Sequence, residues 1–142
     1  MGEANRIVAE ATKWLGTPYH HHARIMGAGV DCAQLLYGVF VEGLGLVPEF
    51  EIDAYPADWM MHRSEERFVS YVLNRAELVD APQAGDIALF KWGRCFAHGA
   101  IVVNWPTVIH ADINAGRVSM DDADQGRFAG REVKFFRVKE AL

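Results

Sequence analysis

The chain has 142 residues, 51% of them hydrophobic, which is enough for one buried core and argues against two domains. Charged residues make up 23% and the formal net charge is −5, so no basic field exists to draw counterion-release energy from nucleic acid or anionic lipid. Glu3, Arg6, Glu10 and Lys13 interrupt the stretch where a signal peptide needs an unbroken apolar segment, and no later apolar run reaches membrane-spanning length. The expectation is a single soluble domain over residues 1–142, made in the cytoplasm, with no nucleic-acid partner and no membrane span.

Ile7, Val8, Ala11, Trp14 and Leu15 recur at three- and four-residue spacing and predict a first helix from Glu3 to Leu15, closed by Gly16 and Pro18. A loop from Tyr19 to Val30 leads to Asp31, which is placed to cap a second helix with Leu35, Leu36, Val39 and Phe40 on its core face. Gly43 and Gly45 end it. Leu46 to Met61 holds Pro48 and Pro56, has no clean period and reads as an irregular excursion. A third helix is expected from Ser64 to Arg75. After Pro82 the pattern changes to short β-rich runs between Gly, Asn, Asp and Pro: Ile87 to Trp92, Ala97 to Asn104, Thr107 to Asp112, Arg117 to Met120 and Glu132 to Val138. Helices followed by a meander of strands predict an α+β domain, its N-terminal helices packed on a mostly antiparallel β-sheet.

The two cysteines, Cys32 and Cys95, stand far apart with neither a C-x-x-C partner nor four-ligand metal spacing. Cytosolic synthesis argues for thiols rather than a Cys32–Cys95 disulfide. Cys32 opens the second helix, where unpaired backbone N–H groups and the positive end of the helix dipole favour thiolate and could hold an oxyanion. Burial as a small structural residue is the commoner fate of a lone cysteine. His98 interrupts the apolar run Phe96 to Val103, and His110 does the same in Thr107 to Ala111. The turn through Trp105 and Pro106 makes these strands a hairpin that can bring the two imidazoles together. Singly, each reads as a satisfied core histidine. Jointly, Cys32, His98 and His110 supply the nucleophile, base and orienting group that covalent acyl transfer requires. His110 and Asp112 are two residues apart and share a strand face, so both are candidates to orient His98.

The segment Leu15-Gly16-Thr17-Pro18-Tyr19 followed by Asp31-Cys32-Ala33-Gln34-Leu35 resembles the G-x-P-Y and D-C-x-x-L pattern of the NlpC/P60 cysteine peptidases. Gly85-Asp86-Ile87-Ala88-Leu89-Phe90, Ala97-His98-Gly99-Ala100-Ile101 and Val108-Ile109-His110-Ala111 are similar to three strands of that family, in the same order, so the combined match from Ala9 to Ala111 is specific although each piece is weak. The resemblance implies a papain-like fold, a catalytic set of Cys32, His98 and His110, and substrate- or oxyanion-facing places for Tyr19 and Asp31. It also implies hydrolysis of peptidoglycan stem peptides at the bond between D-glutamate and a diamino acid, with no cofactor. Ala33-Gln34 and Gln83-Ala84 depart from the family's Ser-Gly after the cysteine and its proline before Gly-Asp, which touches substrate preference more than reaction class. The long loop with His20, His21 and His22, and the stretch Tyr55 to Trp59, resemble the branch carried by phages and gene-transfer particles, which implies tail proteins as partners and action at the cell wall.

Two other function classes stand beside this one: a non-catalytic structural module of a tail assembly, and a zinc site built from Cys32, His98 and His110. The run His20-His21-His22 reads as loop histidines beside the cleft, since adjacent residues do not aim at one ion. Cys95 reads as a spectator thiol in a turn. Asp121, Asp122 and Asp124 lack the glycine and terminal glutamate of a calcium loop and read as a solvated turn.

Overall fold

A computed structural model describes residues 2–47, 76–92 and 95–138. The expected third helix from Ser64 to Arg75, and the Leu46 to Met61 excursion beyond residue 47, lie outside the described residues. Helix α1 spans Glu3–Thr12 and turns Ile7 and Ala11 inward, while the chain leaves helical geometry through Lys13 to Gly16. Trp14 still reaches the core, but Leu15, expected on the buried face, is exposed because it lies past the helix end. Helix α2 spans Cys32–Tyr37, is buried along its whole length, and continues as a π-helical segment, Gly38–Gly43. The four residues expected on its core face, Leu35, Leu36, Val39 and Phe40, are all inaccessible to solvent. A Cβ on residue 38 would stand 2.6 Å from Trp14 Cζ2, so the close approach of α1's trailing turn requires glycine there.

The loop between the helices carries a two-stranded ribbon, β1 (Arg24–Ile25) and β2 (Gly29–Val30). The main sheet holds β3 (Ala76–Val79), β4 (Ile87–Trp92), β5 (Cys95–Asn104), β6 (Thr107–Asp112), β7 (Arg117–Asp122) and β8 (Val133–Val138). Its order is β3-β8-β4-β5-β6-β7 and every pairing is antiparallel. The α+β architecture read from the sequence is therefore the one observed. Strand β3 was not anticipated: only Ala76 of its four residues is buried, so it carries no alternation, and it forms because β8 offers an edge to pair with.

Alternation along the strands divides the core between two faces. Ile87, Leu89, Ile101 and Ile109 join α1 and α2 in one cluster. Ala88, Phe90, Ala100, Val102 and Val108 form the other with Phe128, which a short 3-10 turn, Gly126–Phe128, lays against that face. The Gly85-Asp86 turn entering β4 is tied to β8 by Arg137, whose Nε and Nη2 donate to the two carboxylate oxygens of buried Asp86 at 3.0 and 2.9 Å. At the other end of the sheet, Gly16 and Tyr19 donate backbone N–H groups to Val118 and Gly116, and Val118 donates to Thr17. The segment between α1 and the ribbon thus pairs with the start of β7's outer edge, satisfies both backbone groups of Val118, and lays Tyr19 alongside the sheet.

Candidate active site

Asp31 adopts extended backbone geometry at the N-cap of α2, where its Oδ1 accepts from the Gln34 N–H at 2.9 Å. Its Oδ2 accepts from the His22 N–H at 2.7 Å, so one fully buried carboxylate fixes both the helix start and the end of the histidine run. This holds Cys32 at the first helical position, where its side chain lines a cleft with Tyr19, His98, His110, Asp112, Asp121, Arg127 and Phe128. Cys32 is a thiol, not half of a disulfide.

The sheet supplies the other groups. His98 on β5, His110 on β6 and Asp121 on β7 form a hydrogen-bonded row across three neighbouring strands. His98 Nε2 lies 2.9 Å from His110 Nδ1, and His110 Nε2 lies 2.6 Å from Asp121 Oδ2. The Ser119 hydroxyl donates to the same Asp121 oxygen at 2.7 Å. Register explains the row: Ser119 pairs directly with His110, and Asp121 follows two residues on along the same strand face. Phe128 closes over both imidazoles, its ring centroid 5.9 Å from that of His98 and 4.8 Å from that of His110.

Enclosure sets the charge state. Burial, then the electrostatic influence of His110 and the positive charges of Arg127 and Arg131, push the pKa of His98 down from 6.5 to about 3, so His98 is a neutral imidazole at physiological pH. Burial alone would raise the carboxyl pKa of Asp121, but hydrogen bonds from Ser119 and His110 outweigh it and hold that group below its usual value. The row therefore ends in a carboxylate. A thiol that shares a cleft with a neutral imidazole backed by a second imidazole and an anion is equipped for nucleophilic acyl transfer.

Of the residues singled out from the sequence, Cys32, His98, His110 and Tyr19 come together on this cleft. Asp31 does not line it; its carboxylate lies beneath, occupied by the helix cap and the His22 N–H. His20, His21 and His22 do not line it either. Of the two candidates to orient His98, His110 makes the contact, while Asp112 accepts from the Asn114 N–H in its own turn. Cys95 begins β5 rather than sitting in a turn, and its side chain lies outside the described ones.

The solvated-turn reading of the acidic cluster is wrong for Asp121, which lies on β7 and bonds His110. The signal that could have found it is the pairing of β6 with β7 through the turn ending at Gly116. Among the described residues the metal-ligand grouping is His110, Asp112 and Asp121, with ligand atoms within 4.8 Å of one another, rather than Cys32, His98 and His110. Both ring nitrogens of His110 are already engaged, by His98 and by Asp121.

No protein-family model matches the sequence, and no curated protein matches it. Solved structures do. The NlpC/p60 domain of the peptidoglycan hydrolase SagA aligns with a TM-score of 0.62 at 22% identity, covering 94% of this chain and 97% of that one. NlpC1 from Trichomonas vaginalis aligns with a TM-score of 0.71 at 17% identity over 100% of this chain and 46% of that one. The peptidoglycan hydrolase RipB from Mycobacterium tuberculosis aligns with a TM-score of 0.63 at 19% identity over 97% of this chain and 65% of that one. This chain thus spans nearly all of one relative and about half to two thirds of the other two.

Proposed function

We propose, from the NlpC/P60 fold that this chain carries, that it is a cysteine peptidase hydrolysing the stem peptides of peptidoglycan, with Cys32 as nucleophile and His98 as base. The observation that carries this reading is the meeting of Cys32 with the hydrogen-bonded His98–His110 pair on one cleft, from elements far apart in sequence. Similarity to structures of peptidoglycan hydrolases supports the choice of substrate class.

Cys32 Sγ attacks the scissile carbonyl carbon while its proton passes to His98. With Nε2 engaged by His110, Nδ1 is the nitrogen that takes that proton. The imidazolium so formed is disfavoured in the resting site, and the developing negative charge beside it offsets that cost. The tetrahedral intermediate collapses as His98 returns the proton to the leaving amine, which leaves a thioester on Cys32. Water, deprotonated by the same ring, then attacks the thioester and releases a carboxylic acid and the thiol. Tyr19, on the wall of the cleft, is the proposed hydroxyl donor to the oxyanion, joined by backbone N–H groups at the start of α2.

The bond proposed is that between D-glutamate and the diamino acid of the stem. The place of action proposed is the cell wall, reached as a component of a phage-like tail. Incubating the protein with muropeptides and reading the products by mass tests activity and bond choice together. Wild-type protein should release two peptides whose masses sum to substrate plus one water, and Cys32→Ala should release none. Intact substrate with the wild type would favour a structural tail module. Cleavage that survives Cys32→Ala would overturn the assignment of the nucleophile.

A further inference from the structure

We infer that Asp121 is a positioning residue for the nucleophilic cysteine, acting through two imidazoles to place the lone pair of His98 on Nδ1, with Ser119 holding the carboxylate in place. An ionised carboxylate only accepts hydrogen bonds, so the 2.6 Å contact to Asp121 Oδ2 requires the proton of His110 to sit on Nε2. With both rings neutral, His110 Nδ1 is then a bare lone pair. The 2.9 Å contact to it is filled by a proton on His98 Nε2, and His98 Nδ1 is left as the basic nitrogen. One anion on β7 thereby sets the tautomer of a ring two strands away.

Without that anion, His110 could carry its proton on Nδ1 and donate toward His98, reversing the row. His98 would then hold its own proton on Nδ1, the nitrogen that must take the thiol proton. The geometry suits this role. Ser119 and Asp121 share one face of β7, and the hydroxyl donates 2.7 Å to the same oxygen that His110 uses. Asp121 is also the member nearest solvent, with 42% of its side chain exposed against 3% for His110, so it keeps its charge where a deeper carboxylate would not.

The test compares wild type with Asp121→Leu, which keeps the side-chain size and removes the acceptor, and Asp121→Asn, which keeps an oxygen and loses the charge. Because the residue is partly exposed, both should fold. Imidazole nitrogen NMR at pH 7.5 reads each ring's tautomer. Wild type should show the proton on Nε2 in His98 and in His110, and Asp121→Leu should show mixed tautomers in both. Cys32 alkylation by iodoacetamide and kcat on muropeptides should fall tenfold to a hundredfold in Asp121→Leu with KM within about twofold, and Asp121→Asn should lie between. A wild-type His98 protonated on Nδ1, or Asp121→Leu with unchanged tautomers and alkylation rate, would overturn the assignment. The kinetic arm rests on the peptidase reading; the spectra and alkylation need no substrate and separate the two.

Discussion

Burial of His98 should make the protein sensitive to acid well above the carboxylate range. In the unfolded chain His98 takes up a proton near pH 6.5, whereas in the fold it refuses one until about pH 3. Below 6.5 the unfolded state therefore binds a proton that the native state does not, and stability falls as pH falls across that window. The slope from this group approaches about 1.4 kcal/mol per pH unit, so the loss is about 2 kcal/mol at pH 5 and about 4 kcal/mol by pH 3. Asp121, held below its usual pKa, adds loss of the same sign at the acid end. Urea unfolding at pH 7.5 and pH 5 measures it. With a urea slope of about 2 kcal/mol per molar, the wild-type midpoint should drop by about 1 M from His98 alone. His98→Gln removes the titrating group, so its stability gap to wild type should narrow by about 2 kcal/mol between the two pH values. Parallel pH dependence in the two proteins, or an NMR titration of His98 with a midpoint near 6.5, would refute the reasoning.

Three further outcomes are expected. His110→Ala should lose most of kcat while His110→Gln keeps part of it, and Asp112→Asn should be mild because Asp112 serves its own turn; the reverse ranking in steady-state kinetics would move the orienting role to Asp112. Tyr19→Phe should lower kcat by about a hundredfold with little change in KM, and an unchanged kcat would reduce Tyr19 to a wall of the cleft. Arg137→Met should cost about 3 kcal/mol in urea melts by leaving the Asp86 carboxylate buried without its cation, and Asp86→Asn in the same protein should recover part of the loss.

What could be read from the chain alone was local. Helical spacing of Ile7, Ala11 and Trp14, the Asp31 cap, and five short β-rich runs set between turn residues depend on residues within a few positions of each other, and those elements stand close to where the pattern put them. Cys32 at a helix start, with two histidines flanking a hairpin turn, followed from the same local logic. The end of α1 at Thr12 and the π-helical continuation of α2 did not; the two segments meet where Trp14 packs on Gly38, a contact between positions 24 residues apart. Strand β3 depended on a free edge of β8, more than fifty residues away. Asp121 looked like any acidic residue near a turn until the register of β6 against β7 set it beside His110. Asp31 next to Cys32 promised a group in the cleft, but an N-cap points its carboxylate back at its own helix. Donor and acceptor identities are written in the sequence. Which of them meet, and so which nitrogen of His98 faces His110, is decided only when three strands align, because a hydrogen bond requires contact and a linear pattern carries no distances.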